Sequence, residues 1–197
     1  MRVHPKRTGV DDGQPRPRPA LRTAIQDALT ADRESFRTAV GRLAANHGFS
    51  ADRRFAPVNE VETTGLETPS DSAKRLLWRA WVLDAAPIGI VLTGSAYRDN
   101  PLLYANRATR QLTGYSLGEL TGTNLRQLQG PQTDPESVAR LRTAIRNWNA
   151  TTVDILNYHS DGTPFTNRVS LVPVLDATGT VEHWFGMQAA VPDDEEA

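Results

Sequence analysis

The stretch Gly122-Thr-Asn-Leu-Arg-Gln-Leu-Gln-Gly-Pro-Gln-Thr133 sits between two helix signals and carries side chains suited to holding a ligand. Asn124 and Gln129 are uncharged amides that both donate and accept, and Arg126 offers a guanidinium fork. Upstream, Ser116 and Glu119 form a capping box that opens a short helix. Downstream, Asp134 and Pro135 start a longer helix running to Asn147, with Val138, Leu141 and Ile145 on its apolar face.

Working outward, the periodicity changes to that of strands. Ile88 to Thr93 and Leu102 to Ala105 are apolar enough for two strands, separated by the turn-rich segment Gly94 to Pro101. Arg107 to Thr113 is a short helix ended by Gly114. Thr151 to His159 alternates, Ser160-Asp161-Gly162-Thr163 is a hairpin turn, and Phe165 to Val174 and Val181 to Val191 follow with a second turn at Asp176 to Gly179. Two strands, several short helices and three further strands predict an α+β fold, a five-stranded antiparallel sheet with helices on one face.

The residues before this domain divide into four pieces. Residues 1–20 carry Arg2, Lys6, Arg7, Arg16 and Arg18 among four prolines, and read as a disordered basic tail. From 21 to 48, Leu21, Ile25, Leu29, Phe36, Val40 and Leu43 recur at helical spacing, with Gly48 as the stop. One apolar stripe needs a cover, and two are open: the main domain of the same chain, or a second copy or partner. Residues 49–70 read as a linker, and 71–86 as a helix capped by Asp71 and ended by Pro87, bearing Trp78 and Trp81. Those aromatics are expected to dock on the sheet or on a subunit partner. Residues 192–197 form an acidic tail.

Composition narrows the function. A chain of 197 residues with 39% hydrophobic content builds one ordinary core with residues to spare. The net charge of −1 argues against a generally basic nucleic-acid binder. With no cysteine there is no disulfide, thiolate metal site or thiol catalysis, and no apolar run is long enough for a signal peptide or a membrane span. The expected location is the cytoplasm. His4, His47, His159 and His183 show no metal-binding spacing, and neither a phosphate-cradling glycine loop nor a nucleophile motif is present, so no enzyme is expected.

The Gly122–Thr133 stretch closely resembles the flavin-binding signature of light-oxygen-voltage (LOV) domains, a subfamily of PAS domains. The resemblance continues in order through Leu-Arg-Thr-Ala-Ile, Ile-Leu-Asn-Tyr, Phe-Thr-Asn and Trp-Phe-Gly-Met-Gln, and covers residues 87–191. It implies the PAS fold and a flavin cofactor, FMN or possibly FAD. Asn124 and Gln129 match the residues at the ribityl chain, and Arg126 and Arg142 match the two phosphate-binding arginines. Asn157 and Asn167 match the pair at the pyrimidine edge of the ring, and Gln188 matches the glutamine that senses protonation at N5. Val91, Thr93, Asn100 and Leu171 fall where the family lines its pocket. The family's photoactive thiol lies between its asparagine and arginine; here that position is Leu125, and Gln127 stands where an aromatic residue is usual.

Loss of the thiol abolishes adduct chemistry without removing what holds a flavin. Burying roughly 250 Å² of ring is worth about 6 kcal/mol gross at about 25 cal/mol per Å², against about 1 kcal/mol for one neutral hydrogen bond. Ring burial and phosphate contacts therefore dominate, and leucine adds apolar surface. Three functions remain. The resemblance implies a blue-light photoreceptor in which excited flavin takes an electron from Trp or Tyr and a proton at N5, giving a neutral semiquinone that Gln188 reads. The alternatives are a PAS interaction or dimerisation module and a flavin redox sensor, neither responding to light. In the family the flanking helices also serve association, which implies a homodimer through the N-terminal helices. No membrane or nucleic-acid partner is evident.

Overall fold

Gly89–Thr93 (β1) is buried along its whole length, in a run without a polar alternate, because both faces of its sheet are covered. The computed structural model describes residues 19–51, 70–94, 98–176 and 178–192. β1 lies between Leu102–Ala105 (β2) and Val181–Ala190 (β5), and the sheet continues through Pro164–Leu175 (β4) to Thr151–Tyr158 (β3). Its order is β2-β1-β5-β4-β3, with every neighbouring pair antiparallel.

The register assigns residues to faces. Ile90 pairs with Met187 and Leu92 with Phe185, while Met187 pairs with Ser170 and Phe185 with Val172. Directly opposed residues share a face, so these define one side of the sheet. Three N-terminal helices, Pro19–Thr30 (α1), Arg33–His47 (α2) and Asp71–Val82 (α3), cover it. Leu21, Ile25, Leu29, Phe36, Val40 and Leu43 join Leu77, Ile90, Leu92, Phe185 and Met187 in a single apolar core. Of the two covers open for the helical stripe, the chain's own sheet is the one used. Phe36 is fully buried, meets Trp78 edge-on at 5.3 Å and lies under the Arg79 guanidinium at 5.2 Å.

Local chemistry moves two expected boundaries. The helical extension over 21–48 consists of two helices that divide at Ala31-Asp32, where the Asp32 carboxylate accepts from the backbone N–H groups of Glu34 and Ser35 and caps the second. Gly48 ends that helix at φ 68°, as expected. The helix expected over 71–86 starts on a different cap: Ser70 Oγ accepts from Ala73 N at 3.1 Å, leaving Asp71 in the first turn to pair with Lys74. It ends at Val82, with Leu83 as its C-cap, well before Pro87. Pro19 and Ala20, the last two residues of the expected basic tail, open α1, and the rest of that tail, most of the linker and most of the acidic tail lie outside the described residues.

The opposite face carries Arg107–Thr113 (α4), Leu117–Leu120 (α5), a 3-10 turn over Leu125–Leu128 and Pro135–Arg146 (α6). The capping box, Gly114 and the Asp134-Pro135 start are all as read from the sequence. Asn106 joins this layer to the strands. Its buried Oδ1 accepts from Ile90 N at 2.8 Å and Thr109 N at 3.0 Å, and its Nδ2 donates to Ile88 O at 2.9 Å.

Candidate ligand-binding site

The Gly122–Thr133 stretch crosses the whole sheet. At one end Gly122 N donates to Leu102 O (2.8 Å) and Leu102 N donates to Thr123 O (2.7 Å), tying it to the β2 edge. At the other, Thr133 Oγ1 donates to Leu156 O (2.7 Å) and Gln132 N to Tyr158 Oη (3.1 Å), tying it to β3 at the far edge. The chain passes so closely over Tyr158 that a Cβ on Gly130 would stand 2.3 Å from the ring. Anchored at both edges, the stretch roofs the sheet without filling the space beneath.

A cavity of about 490 Å³ lies there, within the size range of small-molecule sites. Its floor follows from the register: Val91 faces Gly186, which faces Leu171; Thr93 faces Trp184; Gln188 faces Val169; Asn167 faces Ile155. Gly186 keeps the floor shallow, since a Cβ there would press on Val91 Cγ2 at 2.5 Å. The roof is Asn124, Leu125, Arg126, Leu128 and Gln129 with Val138, Leu141, Arg142 and Ile145 of α6.

All the residues singled out from the sequence line this one cavity: Val91, Thr93, Asn100, Asn124, Leu125, Arg126, Gln129, Arg142, Asn157, Asn167, Leu171 and Gln188. Leu128, Val138, Leu141, Ile145, Ile155, Val169, Trp184, Gly186 and Met187 line it too and were not singled out. Val138, Leu141 and Ile145 were read only as a helix face that packs. They are half-buried, whereas the small Ser137 and Ala144 of the same helix are buried, so the large apolar side chains border the cavity. A helix whose long apolar residues cannot all reach the sheet is the signal that was available.

Polarity is graded through the site. Asn157, Asn167 and Gln188 are buried. Asn167 Nδ2 donates to Asn157 Oδ1 and to Gln188 Oε1, both at 2.9 Å, and Asn157 Nδ2 donates to Leu156 O at 3.2 Å. Asn167 Oδ1, Gln188 Nε2, Asn100 Oδ1 and Trp184 Nε1 are buried on lining residues and have no hydrogen-bond partner among the described residues. Arg126 and Arg142 are exposed. Arg126 is ion-paired with Asp99, whose backbone carbonyl also accepts from Asn124 Nδ2. Asp99 and Asn100 hold φ of 67° and 49°, left-handed values that non-glycine residues seldom adopt. Arg142 has no ion pair among the described residues. Gln127 leaves the 3-10 turn intact, although its Nε2 is buried without a partner.

The site fits a planar heterocycle with an anionic tail. Aliphatic walls suit the ring, unpartnered buried amide atoms suit an edge that alternates acceptors and donors, and two exposed guanidinium groups suit a phosphate. Buried polar atoms without partners are costly, and a ligand edge that meets them removes that cost.

The description PAS domain matches residues 87–188, which hold the sheet and every cavity-lining residue. The chain belongs to the PAS domain family. Blue-light-activated histidine kinases, phototropins and solved LOV domains are among its strong homologues. A bacterioopsin transcriptional activator from Halobacterium salinarum is 39% identical over 149 residues, 73% of this PAS chain and 22% of that protein. Blue-light-activated histidine kinase 1 from Erythrobacter litoralis is 41% identical over 106 residues, 54% of this chain and 29% of the kinase. The chain therefore spans less than a third of those two relatives. The light-state structure of the LOV domain of the blue-light photoreceptor Aureochrome1 matches at TM-score 0.53 and 41% identity, covering 57% of this chain and 88% of that one. Its dark-state structure matches at TM-score 0.54 and 40% identity over 66% and 89%.

Proposed function

We propose that this PAS chain is a LOV-type blue-light photoreceptor that binds FMN and signals without a cysteinyl adduct. The observation that carries the reading is the pair of buried, unpartnered amide atoms, Gln188 Nε2 and Asn167 Oδ1, beside the aliphatic side chains of the cavity. When bound, the flavin supplies blue-light absorption and one-electron photoreduction with proton uptake at N5. Asn157 and Asn167 would hold the pyrimidine edge, Gln188 would meet N5, Asn124 and Gln129 would hold the ribityl chain, and Arg126 and Arg142 the phosphate. FAD would use the same ring contacts. Leu125 stands at the position of the family's thiol and adds apolar wall.

Signalling then rests on Gln188. Its Nε2 offers a donor to the ring edge while its Oε1 accepts from Asn167. Were a bound flavin to present a donor at N5 in place of an acceptor, it would face the Gln188 Nε2 donor, and two donors cannot share a hydrogen bond. The Gln188 amide answers by turning its oxygen to the edge, which changes what the last strand offers Asn167 on β4. Output follows from the strand and from the helices packed on its other face, making this a sensor module and not an enzyme.

The test is the absorption spectrum of the purified protein. Expected is a yellow protein with a structured band near that of ordinary LOV domains, released as FMN on denaturation and converted by blue light without a thiol adduct. A colourless protein that takes up no added FMN overturns the reading and leaves the PAS interaction module.

A further inference from the structure

Resting on that reading, we propose that Trp184 is the electron donor for photoreduction of the bound flavin. The chain has four tryptophans and four tyrosines, and among those described Trp184 alone lines the cavity. It is 2% exposed and lies on the β5 inner face, directly opposite Thr93 and two residues from Gly186. Its Nε1 is buried without an acceptor among the described residues.

The other described tryptophan and tyrosine rings are held elsewhere, and Tyr115 packs with Leu102, Ala105 and Leu120 without lining the cavity. Trp78 and Trp81 pack with the core on the far side of the sheet, and Trp148 is 44% exposed at the end of α6. Tyr104 belongs to that far core and donates its phenol proton to Asp84 at 2.7 Å. Tyr158 lies against Gly130 and binds Gln132 N. With no cysteine in the chain, and with the Met187 side chain turned to the far core with Ile90 and Phe185, the indole is the most easily oxidised side chain in the wall.

The step balances within the pair. On excitation one electron leaves the Trp184 indole for the flavin ring. The indole cation radical is strongly acidic and, with no acceptor at Nε1 among the described residues, gives up that proton into the ligand cavity, where one proton is taken up at flavin N5. Trp184 is oxidised by one electron, the flavin is reduced by one, and the proton count is unchanged. In the dark the electron and proton return. A thiol reductant in solution, such as dithiothreitol, reduces the Trp184 radical instead and lets the reduced flavin accumulate.

The experiment uses the full chain loaded with FMN, compared with Trp184→Phe, Trp184→Tyr and Trp148→Phe. In the dark, FMN should quench part of the intrinsic tryptophan emission of the parent, and Trp184→Phe, compared at saturating FMN, should lack that component. Flavin fluorescence should rise in Trp184→Phe, and anaerobic photoreduction should slow by about tenfold or more. An indole radical seen by electron paramagnetic resonance in illuminated frozen parent should be lost. Trp184→Tyr, which keeps a large oxidisable ring, should fall between, and Trp148→Phe should match the parent. Flavin-loaded Trp184→Phe or Trp184→Tyr with parental fluorescence and photoreduction overturns the assignment while leaving the photoreceptor reading intact. A parent that binds FMN but is not photoreduced defeats both.

Discussion

Asn167 Nδ2 donates at 2.9 Å to Gln188 Oε1 on one neighbouring strand and at 2.9 Å to Asn157 Oδ1 on the other. One amide thus spans β3, β4 and β5. Its donors are both engaged and its own oxygen is left over, as is the Gln188 nitrogen. The two unpartnered atoms are complementary. If Gln188 turns over, its nitrogen meets the Asn167 nitrogen, and only a matching turn of Asn167 restores a donor facing an acceptor.

Gln188→Leu should separate photochemistry from output. Photoreduction should persist, FMN should bind about fivefold to tenfold more weakly for one lost neutral hydrogen bond, and light should no longer alter hydrogen exchange in β5 and α1 to α3. A light-induced change of parental size in that variant would show that another group reads N5.

The phosphate end predicts opposite signs for neighbouring charges. Replacing Arg126 and Arg142 together by alanine should weaken FMN by about a hundredfold or more while changing riboflavin, which has no phosphate, by about threefold at most. Asp99 neutralises Arg126 and would repel a phosphate, so Asp99→Asn should tighten FMN by about threefold to tenfold at low salt. Titrations with both ligands decide it. Equal effects on FMN and riboflavin would remove the arginines from phosphate binding.

Leu125 opens the 3-10 turn in the cavity roof. Leu125→Cys places a thiol at the family's reactive position, so blue light should bleach the visible flavin band and the band should recover in the dark. A flavin-loaded variant that does not bleach would mean that the roof holds residue 125 away from the ring.

Phe36 tests the other face of the sheet. It is fully buried against Trp78 and Arg79, so Phe36→Ala should cost about 3–5 kcal/mol of stability. FMN affinity at a temperature where the variant is folded should stay within about threefold of the parent, because the cavity lies across the sheet. Denaturant unfolding and FMN titration measure the two quantities separately.

What the sequence determined by itself is what neighbouring residues decide. Ser116 with Glu119, Gly114, Asp134-Pro135 and the Ser160–Thr163 turn act over a few bonds, so their elements are where the pattern put them. The Asp32 cap was equally local and was overlooked because the apolar stripe runs through it. The order of strands and the set of amides and arginines were also legible, the latter through a resemblance carried by contiguous motifs. Tertiary structure alone decided the rest. The α1–α3 stripe could face any apolar surface, and only the covered outer face of the sheet selects its own chain. Val138, Leu141 and Ile145 border empty space because Gly122–Thr133 is pinned at opposite sheet edges and holds the roof off the floor. Trp184 in the wall and Asp99 against Arg126 depend on strand register and on contacts between residues far apart in the chain, which periodicity does not encode.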